Sequence, residues 1–478
     1  MLGKPIVLWL QLFKKVIVLA HALTLDFGGL LHKIDTIAFV LNNVLGIHER
    51  IAALNGKIRA KLALSKKQLK ELSKRLKDIN CVYGVQLVNR KKVDHVQPMG
   101  DSIEEINMKS EVGEYLFQSD IVLTRAQAEE IVEDINNDGT NRTKRQAFRD
   151  WRYPKTTWGY GVAYVFDENA SKPLMKLKDA STLLHFSIFD LFVCKIKLRD
   201  QPREDLIKVG VAAHELGHAL GFLHTHARHD RDQYITVNIR NVKPDLVSLL
   251  DLETSATNEN YGVTYDPGSV MHYGSTSVSF NHQPAIVPKD VKYIETLGSP
   301  FISFYDLLML NIHYNCTAVC DPSHSAQCKM GGFPHPRDCK KCVCPGGYDG
   351  QFCDERPAGC GEELQAASDY QYFTTTVGDK KSRTPREDYD KCHFWIKAPA
   401  GKKIEVKLTQ FSPPGIAVDG CIYSGIEIKT QKDQGLTGYR LCSMDDIKYV
   451  FISESNLVPF IVYDRLYGTD VTVQYRFF

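Results

Sequence analysis

The chain has 478 residues, of which 43% are hydrophobic and 24% charged, the balance of ordinary globular protein and a length that suits about three domains. Its net charge of +2 argues against nucleic acid as a partner, and no apolar run approaches the roughly 18 residues of a spanning helix, which argues against a membrane anchor. Eleven of its 13 cysteines follow residue 300, a density that points to disulfides and an oxidising, secretory setting.

The N-terminus fits that setting. Lys14 and Lys15 precede an apolar stretch that ends in Ala20-His21-Ala22, so residues 1–22 have the layout of a signal peptide. Sequons at Asn141, Asn169 and Asn315 mark candidate glycosylation sites. Ile51, Leu54, Ile58 and Leu62, then Leu69, Leu72, Leu76 and Ile79, recur at three- and four-residue steps among many cations. That spacing predicts amphipathic helices with a solvated basic face. Cys81 stands apart from the other cysteines. Arg142-Thr143-Lys144-Arg145 follows the turn-rich Asn136-Asn137-Asp138-Gly139 and has the dibasic form that a furin-like convertase cuts, here after Arg145.

Residues 209–220 lack proline and are rich in Ala, Leu and Val, which predicts a mostly buried helix. His214 and His218 lie one turn apart on one face of it, so both imidazoles reach one ion. Glu215 is one residue further round, too far off axis to be an equal ligand and near enough to take a proton from an activated water. Gly221 is placed to end the helix in a left-handed turn that brings back His224 as a third nitrogen. Three neutral imidazoles with one open position suit a catalytic zinc. Downstream, Ser269-Val270-Met271-His272-Tyr273 would pass a methionine turn beneath that metal.

With Arg228-His229-Asp230-Arg231-Asp232, Tyr261-Gly262-Val263 and Val287-Pro288-Lys289-Asp290, these residues resemble the astacin family of zinc metalloendopeptidases, within the metzincins. The resemblance implies an α+β zincin domain over residues 146–316 holding one zinc, with His214, His218 and His224 as ligands and Glu215 as general base. It also implies that Tyr273 is an extra ligand that swings away to stabilise the oxyanion, and that Met271 is the structural methionine. His226 and His229 match no family ligand and are expected at the surface. Residues 23–145 would be a propeptide, in which 115–124 resembles the family's FxGD motif; Asp120 would then be an inhibitory zinc ligand. Ser119 replaces the family glycine, a cost if that position takes positive φ.

Two departures stand out. Around residues 170–208 the family places a helix, several strands, a Gly-rich edge strand on the cleft rim and an internal disulfide, and this chain is too short there for all of them. The rim strands are therefore expected to be missing, along with the edge to which an extended substrate would add itself. The family's remaining long-range bridge would be Cys194–Cys316. Thr225 stands where many astacins have a glutamate that pairs with the new N-terminus, so a terminus at Gln146 is not expected to be locked in that way.

Residues 317–355 end in C-x-C-P-G-G-Y-x-G-x-x-C and resemble an epidermal-growth-factor-like (EGF-like) module. By that analogy its bridges are Cys320–Cys339, Cys328–Cys342 and Cys344–Cys353, and its role is a spacer. Residues 360–478 alternate with period two, as in Ile404-Glu405-Val406-Lys407-Leu408, which predicts an all-β sandwich. This part resembles a CUB domain, implying Cys360–Cys392 and Cys421–Cys442 and recognition of a substrate exosite or matrix protein. Ser412 stands where such domains commonly have an Asp, which leaves calcium doubtful despite Asp419.

The expected whole is a secreted, extracellular, multidomain zymogen: a zinc endopeptidase acting on extracellular proteins or peptides once a furin-like protease has cut after Arg145. The competing expectation is a secreted binding protein that keeps the zinc site but lacks a complete cleft.

Overall fold

A computed structural model describes residues 53–82, short stretches between 85 and 157, residues 209–253, and residues 258–478 except Glu387 and Gly415. The expected signal peptide, Asn141, Asn169, Cys194 and the segment 170–208 lie outside the described residues.

The N-terminal segment forms helices α1 (Asn55–Lys61) and α2 (Lys66–Asn80), a small hairpin of β1 (Cys81–Val82) and β2 (Val85–Gln86), and helix α3 (Ile103–Lys109). The apolar spacing that predicts α1 and α2 is also what docks them. Leu54, Ile58 and Leu62 enter a core with Ile235, Val247 and Tyr273. Leu72 and Ile79 pack on Val287 and Ile294. Each fully buried Leu or Ile contributes about 1.5–3 kcal/mol. The basic face is not wholly solvated: Arg75 donates to the carbonyls of Val287 and Pro288 (3.3 and 3.0 Å) and to Oγ1 of Thr236 (2.9 Å).

In the central region β3 (Arg145–Phe148) pairs antiparallel with β5 (Asn258–Glu259), and β4 (Ile235–Val237) with β6 (Ile286–Pro288). Helix α4 (Val209–Ala219) carries the histidine run, and α5 (Phe304–His313) closes the region. α5 starts at a capping box: the Ser303 side chain accepts the Asp306 amide while Asp306 accepts the Ser303 amide.

A cysteine-rich piece follows, with β7 (Phe333–His335) paired to β8 (Asp338–Val343) and disulfides Cys320–Cys339, Cys328–Cys342 and Cys344–Cys353. Its small core includes Tyr348 and reaches Trp395, whose Nε1 donates to the Gly347 carbonyl at 2.8 Å. Cys316 is a free thiol with Sγ facing the Tyr314 carbonyl, and Cys194, its implied bridge partner, lies outside the described residues. Asn315, beside it, is exposed and left-handed (φ 59°).

The C-terminal part is a sandwich of two sheets. One runs β10 (Gln371–Val377), β17 (Thr469–Phe477), β12 (Ile404–Ser412), β15 (Phe451–Ile452). The other runs β14 (Tyr439–Leu441), β13 (Ser424–Ile428), β16 (Leu457–Asp464), β11 (Asp390–Lys397), β9 (Glu363–Gln365). Period-two burial in β12 sends Ile404, Val406 and Leu408 inward to meet Phe394 and Phe460. Cys360–Cys392 and Cys421–Cys442 staple it. No helix among the described residues is long and apolar enough to cross a membrane.

Candidate metal centre

Helix α4 stops where its turn chemistry dictates. Gly221 has φ +97°, its amide donates to the His218 carbonyl and the Phe222 amide to the Gly217 carbonyl, both at 2.9 Å. This paired closure needs the left-handed residue that glycine supplies without strain. The chain then doubles back, and His224 comes to face His214 and His218.

Nε2 of His214 lies 3.1 Å from Nε2 of both His218 and His224. Each ring donates its other nitrogen to a protein oxygen: His214 Nδ1 to the Val270 carbonyl (2.7 Å), His218 Nδ1 to the Phe222 carbonyl (2.7 Å), His224 Nδ1 to Oε1 of Gln118 (2.5 Å). With Nδ1 donating, each ring in its neutral form would aim a bare Nε2 lone pair at one point. That convergence is repulsive unless a cation sits there. A tetrahedral zinc with Zn–N bonds of about 2.0–2.1 Å sets its donors about 3.3 Å apart, close to the spacing seen.

The fourth corner is Asp120. Its Oδ2 lies 3.0 Å from Nε2 of His224 and 3.3 Å from Nε2 of His214, and its Oδ1 is 3.6 Å from Nε2 of His218. Oδ1 is buried without a hydrogen-bond donor, an arrangement that a metal ion satisfies. These four side chains form one group able to hold a metal. Burial pushes His224 down to about 4, which keeps it a neutral ligand. Burial also opposes protonation of His214, but the hydrogen bond and charge of Asp120 overcome it and raise that ring to about 9. A proton thus balances the carboxylate where a divalent ion would otherwise do so.

Asp120 reaches the site on a tight turn, Gln118 (φ 48°) and Ser119 (φ 61°) both being left-handed. Each such residue costs roughly 1–2 kcal/mol without glycine. Contacts offset the strain: the Ser119 carbonyl accepts from Asn107 (3.0 Å), Gln118 Nε2 donates to Glu253 (3.1 Å), and Ser119 Oγ lies 3.2 Å from the Tyr273 hydroxyl. That hydroxyl donates to the Gln118 carbonyl, so Tyr273 is engaged by the N-terminal segment. Burial and the charge of Asp120 keep it protonated.

The Met271 side chain lies under the turn between the two helical ligands; a Cβ on Gly217 would fall 2.5 Å from its Sδ. The strap that carries Met271 is tied down twice. Ser269 Oγ donates to Asp306 (2.6 Å) and the Val270 amide to the other Asp306 oxygen (3.0 Å). Thr225 Oγ1 donates to Ser269 Oγ (2.9 Å), linking the third-ligand loop to the same strap. Glu215 is half-buried next to His214, and its charge acts on His214 and Tyr273.

His226 departs from the expected surface position. A 3-10 turn, Thr225–Ala227, rotates it inward, where it stacks on Tyr273 (centroids 4.1 Å apart) and His224 (5.0 Å) and donates to the Leu249 carbonyl. Burial holds it neutral. His229 is half-buried against Asn260. Gln118, Asp306 and His226 are parts of the site that motif spacing does not mark, although Ser303-x-x-Asp306 is itself a readable cap pattern.

A family model described as Astacin, a peptidase family, matches residues 203–315. Zinc metalloproteinase nas-31 of Caenorhabditis elegans is 40% identical over 416 residues, which cover 81% of this chain and 68% of that protein. Zinc metalloproteinase nas-29 of the same organism is 33% identical over 376 residues, 72% of this chain and 69% of that protein. Among solved structures, high choriolytic enzyme 1 of medaka, a hatching-enzyme zinc protease, aligns with 35% of this chain and 98% of its own, at 21% identity and a TM-score of 0.29.

Proposed function

The chain belongs to the astacin family and is a zinc metalloendopeptidase; we propose that it is made as a secreted zymogen whose N-terminal segment is the propeptide and Asp120 the inhibitory ligand. The observation that carries this is the group Asp120, His214, His218 and His224, in which a carboxylate from 94 residues upstream of the first histidine fills the corner opposite three lone pairs.

When bound, zinc supplies the Lewis acidity that polarises a peptide carbonyl and acidifies water. In this reading His214, His218 and His224 hold it, with their rings fixed by Val270, Phe222 and, in the zymogen, Gln118. Glu215 takes the proton of the attacking water and returns it to the leaving amine. Tyr273, released from Gln118 when the propeptide leaves, donates its hydroxyl to the developing oxyanion. Cleavage after Arg145 is the activating step, performed by a furin-like protease. The cysteine-rich piece reads as an EGF-like spacer and the sandwich as a CUB domain that contacts protein substrates or partners. The cysteine pairing supports an extracellular setting. The binding-protein alternative is the weaker one, since the relatives are themselves named metalloproteinases.

The test is to cleave purified chain after Arg145 and assay a protein substrate beside Glu215→Ala. Hydrolysis by the processed chain, its loss in Glu215→Ala at equal zinc content, and little hydrolysis before cleavage are expected. Equal activity in both chains would reject Glu215 as the base, and full activity before cleavage would reject the zymogen.

A further inference from the structure

The space beside His214 is walled by residues 101–104 of the N-terminal segment, the start of helix α4 at Gly210 and Val211, the strap through Val270, Tyr273 and Gly274, residues 298–300, and Ile422 of the sandwich. The sandwich corner there is held in place without help from the N-terminal segment. Cys421 is bridged to Cys442, the Tyr389 hydroxyl donates to the Ile422 carbonyl (2.6 Å), and the Arg465 amide donates to the Tyr423 carbonyl (2.8 Å).

The same corner is locked onto the central region. Oδ1 of Asp419 accepts from Ser275 Oγ (2.7 Å), and its Oδ2 accepts from the amide and hydroxyl of Thr276 (2.7 and 2.6 Å). Arg440, ion-paired with Glu427 (3.0 Å), donates to Ser299 Oγ (2.6 Å). These anchors sit two and three residues past Tyr273 and inside the wall at Ser299.

The N-terminal segment packs on this corner beside the space at His214. Val96 packs on the cluster of Ile416, Ile422, Tyr423 and Leu466. The Tyr423 hydroxyl bonds the Asp101 carboxylate, which also accepts the Val96 amide at 2.6 Å. The corner thus receives an apolar side chain and a carboxylate from one segment, Val96 beside Ile422 and Asp101 on the Tyr423 hydroxyl.

We propose that Ile422 and Tyr423 form a substrate subsite of the activated enzyme, which takes an apolar side chain with a neighbouring carboxylate from the polypeptide in the cleft. The propeptide fills this subsite in the zymogen with Val96 and Asp101. The sandwich is then a fixed wall of the active-site cleft, preorganised by Asp419 and the Cys421–Cys442 bridge. This rests on the zymogen reading above, and the test separates the two.

The binding arm uses the full chain carrying Glu215→Ala, cleaved after Arg145 and freed of its N-terminal segment, with a synthetic peptide of the sequence of residues 95–104 as probe. Saturable binding is expected, weakened roughly tenfold by Tyr423→Phe at little change in unfolding temperature, and to a similar degree by Ile422→Ala. In the catalytically competent processed chain the same substitutions should raise KM for a protein substrate roughly tenfold with little change in kcat, and by clearly less for a short peptide. Peptide binding that is absent, or that ignores both substitutions, overturns the subsite. So does an equal loss on short and long substrates, which would make the two residues part of the catalytic fold. A processed chain with no hydrolytic activity would overturn the protease reading instead, and the binding arm would still decide the subsite.

Discussion

Oδ2 of Asp120 lies 3.0 Å from Nε2 of His224, although 104 residues separate them. Latency should therefore depend on one carboxylate. Replacing it by Asp120→Ala removes a charge-assisted contact worth about 1.5–3 kcal/mol, or roughly ten- to a hundredfold in the closed-to-open ratio. Uncleaved Asp120→Ala chain should hydrolyse a protein substrate at least roughly tenfold faster than uncleaved wild type. Equal rates in a chain with Arg145 intact would remove Asp120 from the inhibitory role.

Metal binding to the uncleaved chain should release protons. His214 is raised to about 9, against the pull of burial, by its hydrogen bond to Asp120 and by that residue's charge, so it carries a proton at pH 7.5. Zinc takes the position that proton balances, and about one proton should leave per zinc. Titration calorimetry in buffers of different ionisation enthalpy reads this directly. Asp120→Asn removes the cause of the raised value, and its proton release should be smaller; identical release in both chains would contradict the account.

Gly217→Ala tests the methionine under the helix. Alanine improves helix propensity by about 0.8–1.0 kcal/mol, but its Cβ would fall 2.5 Å from the Met271 Sδ. Overpacking of this kind typically costs about 1–3 kcal/mol and moves the strap that carries Val270, the partner of His214. Lower thermal stability together with weaker zinc retention against a chelator is the expected pair. A stabilised variant with normal zinc affinity would show that Met271 yields freely.

Docking of the N-terminal segment should weaken with rising pH through Glu104. Burial raises this carboxyl to about 7 from an ordinary 4.5, with the hydrogen bond from Ser277 opposing. The docked state favours the protonated acid, so this contribution is full below about pH 4.5 and fades as pH rises through about 7. After cleavage at Arg145 the segment should leave faster at pH 8 than at pH 5.5, and Glu104→Gln should flatten that difference. A pH-independent release rate in wild type would count against it.

The metal ligands were legible because their placement is local: a helical repeat sets His214 beside His218, and a turn glycine sets the return to His224. The sandwich was legible for a similar reason, since period two in β12 is a direct image of its two faces. His226 was not, because one histidine in a single 3-10 turn carries no periodicity that says which way it faces. Nor was the Asp419 contact with Ser275, which joins residues 144 positions apart. A carboxylate suited to a cation and one suited to a pair of hydroxyls look alike in a sequence. The left-handed turn at Gln118 and Ser119 was half legible: a family glycine marked where strain would fall, and nothing marked the contacts to Asn107 and Glu253 that hold it.

Arg145 begins the strand that pairs with Asn258–Glu259, and two residues on Ala147 bridges to Phe222, the carbonyl partner of His218. A protease that cuts after Arg145 would have to peel this ribbon from its neighbour, so in the proposed zymogen the rate of cutting should follow how often that edge opens. The opening pulls on the same short stretch that orients a metal ligand. In that reading, conditions that loosen the zinc, such as chelation, should hasten the cut.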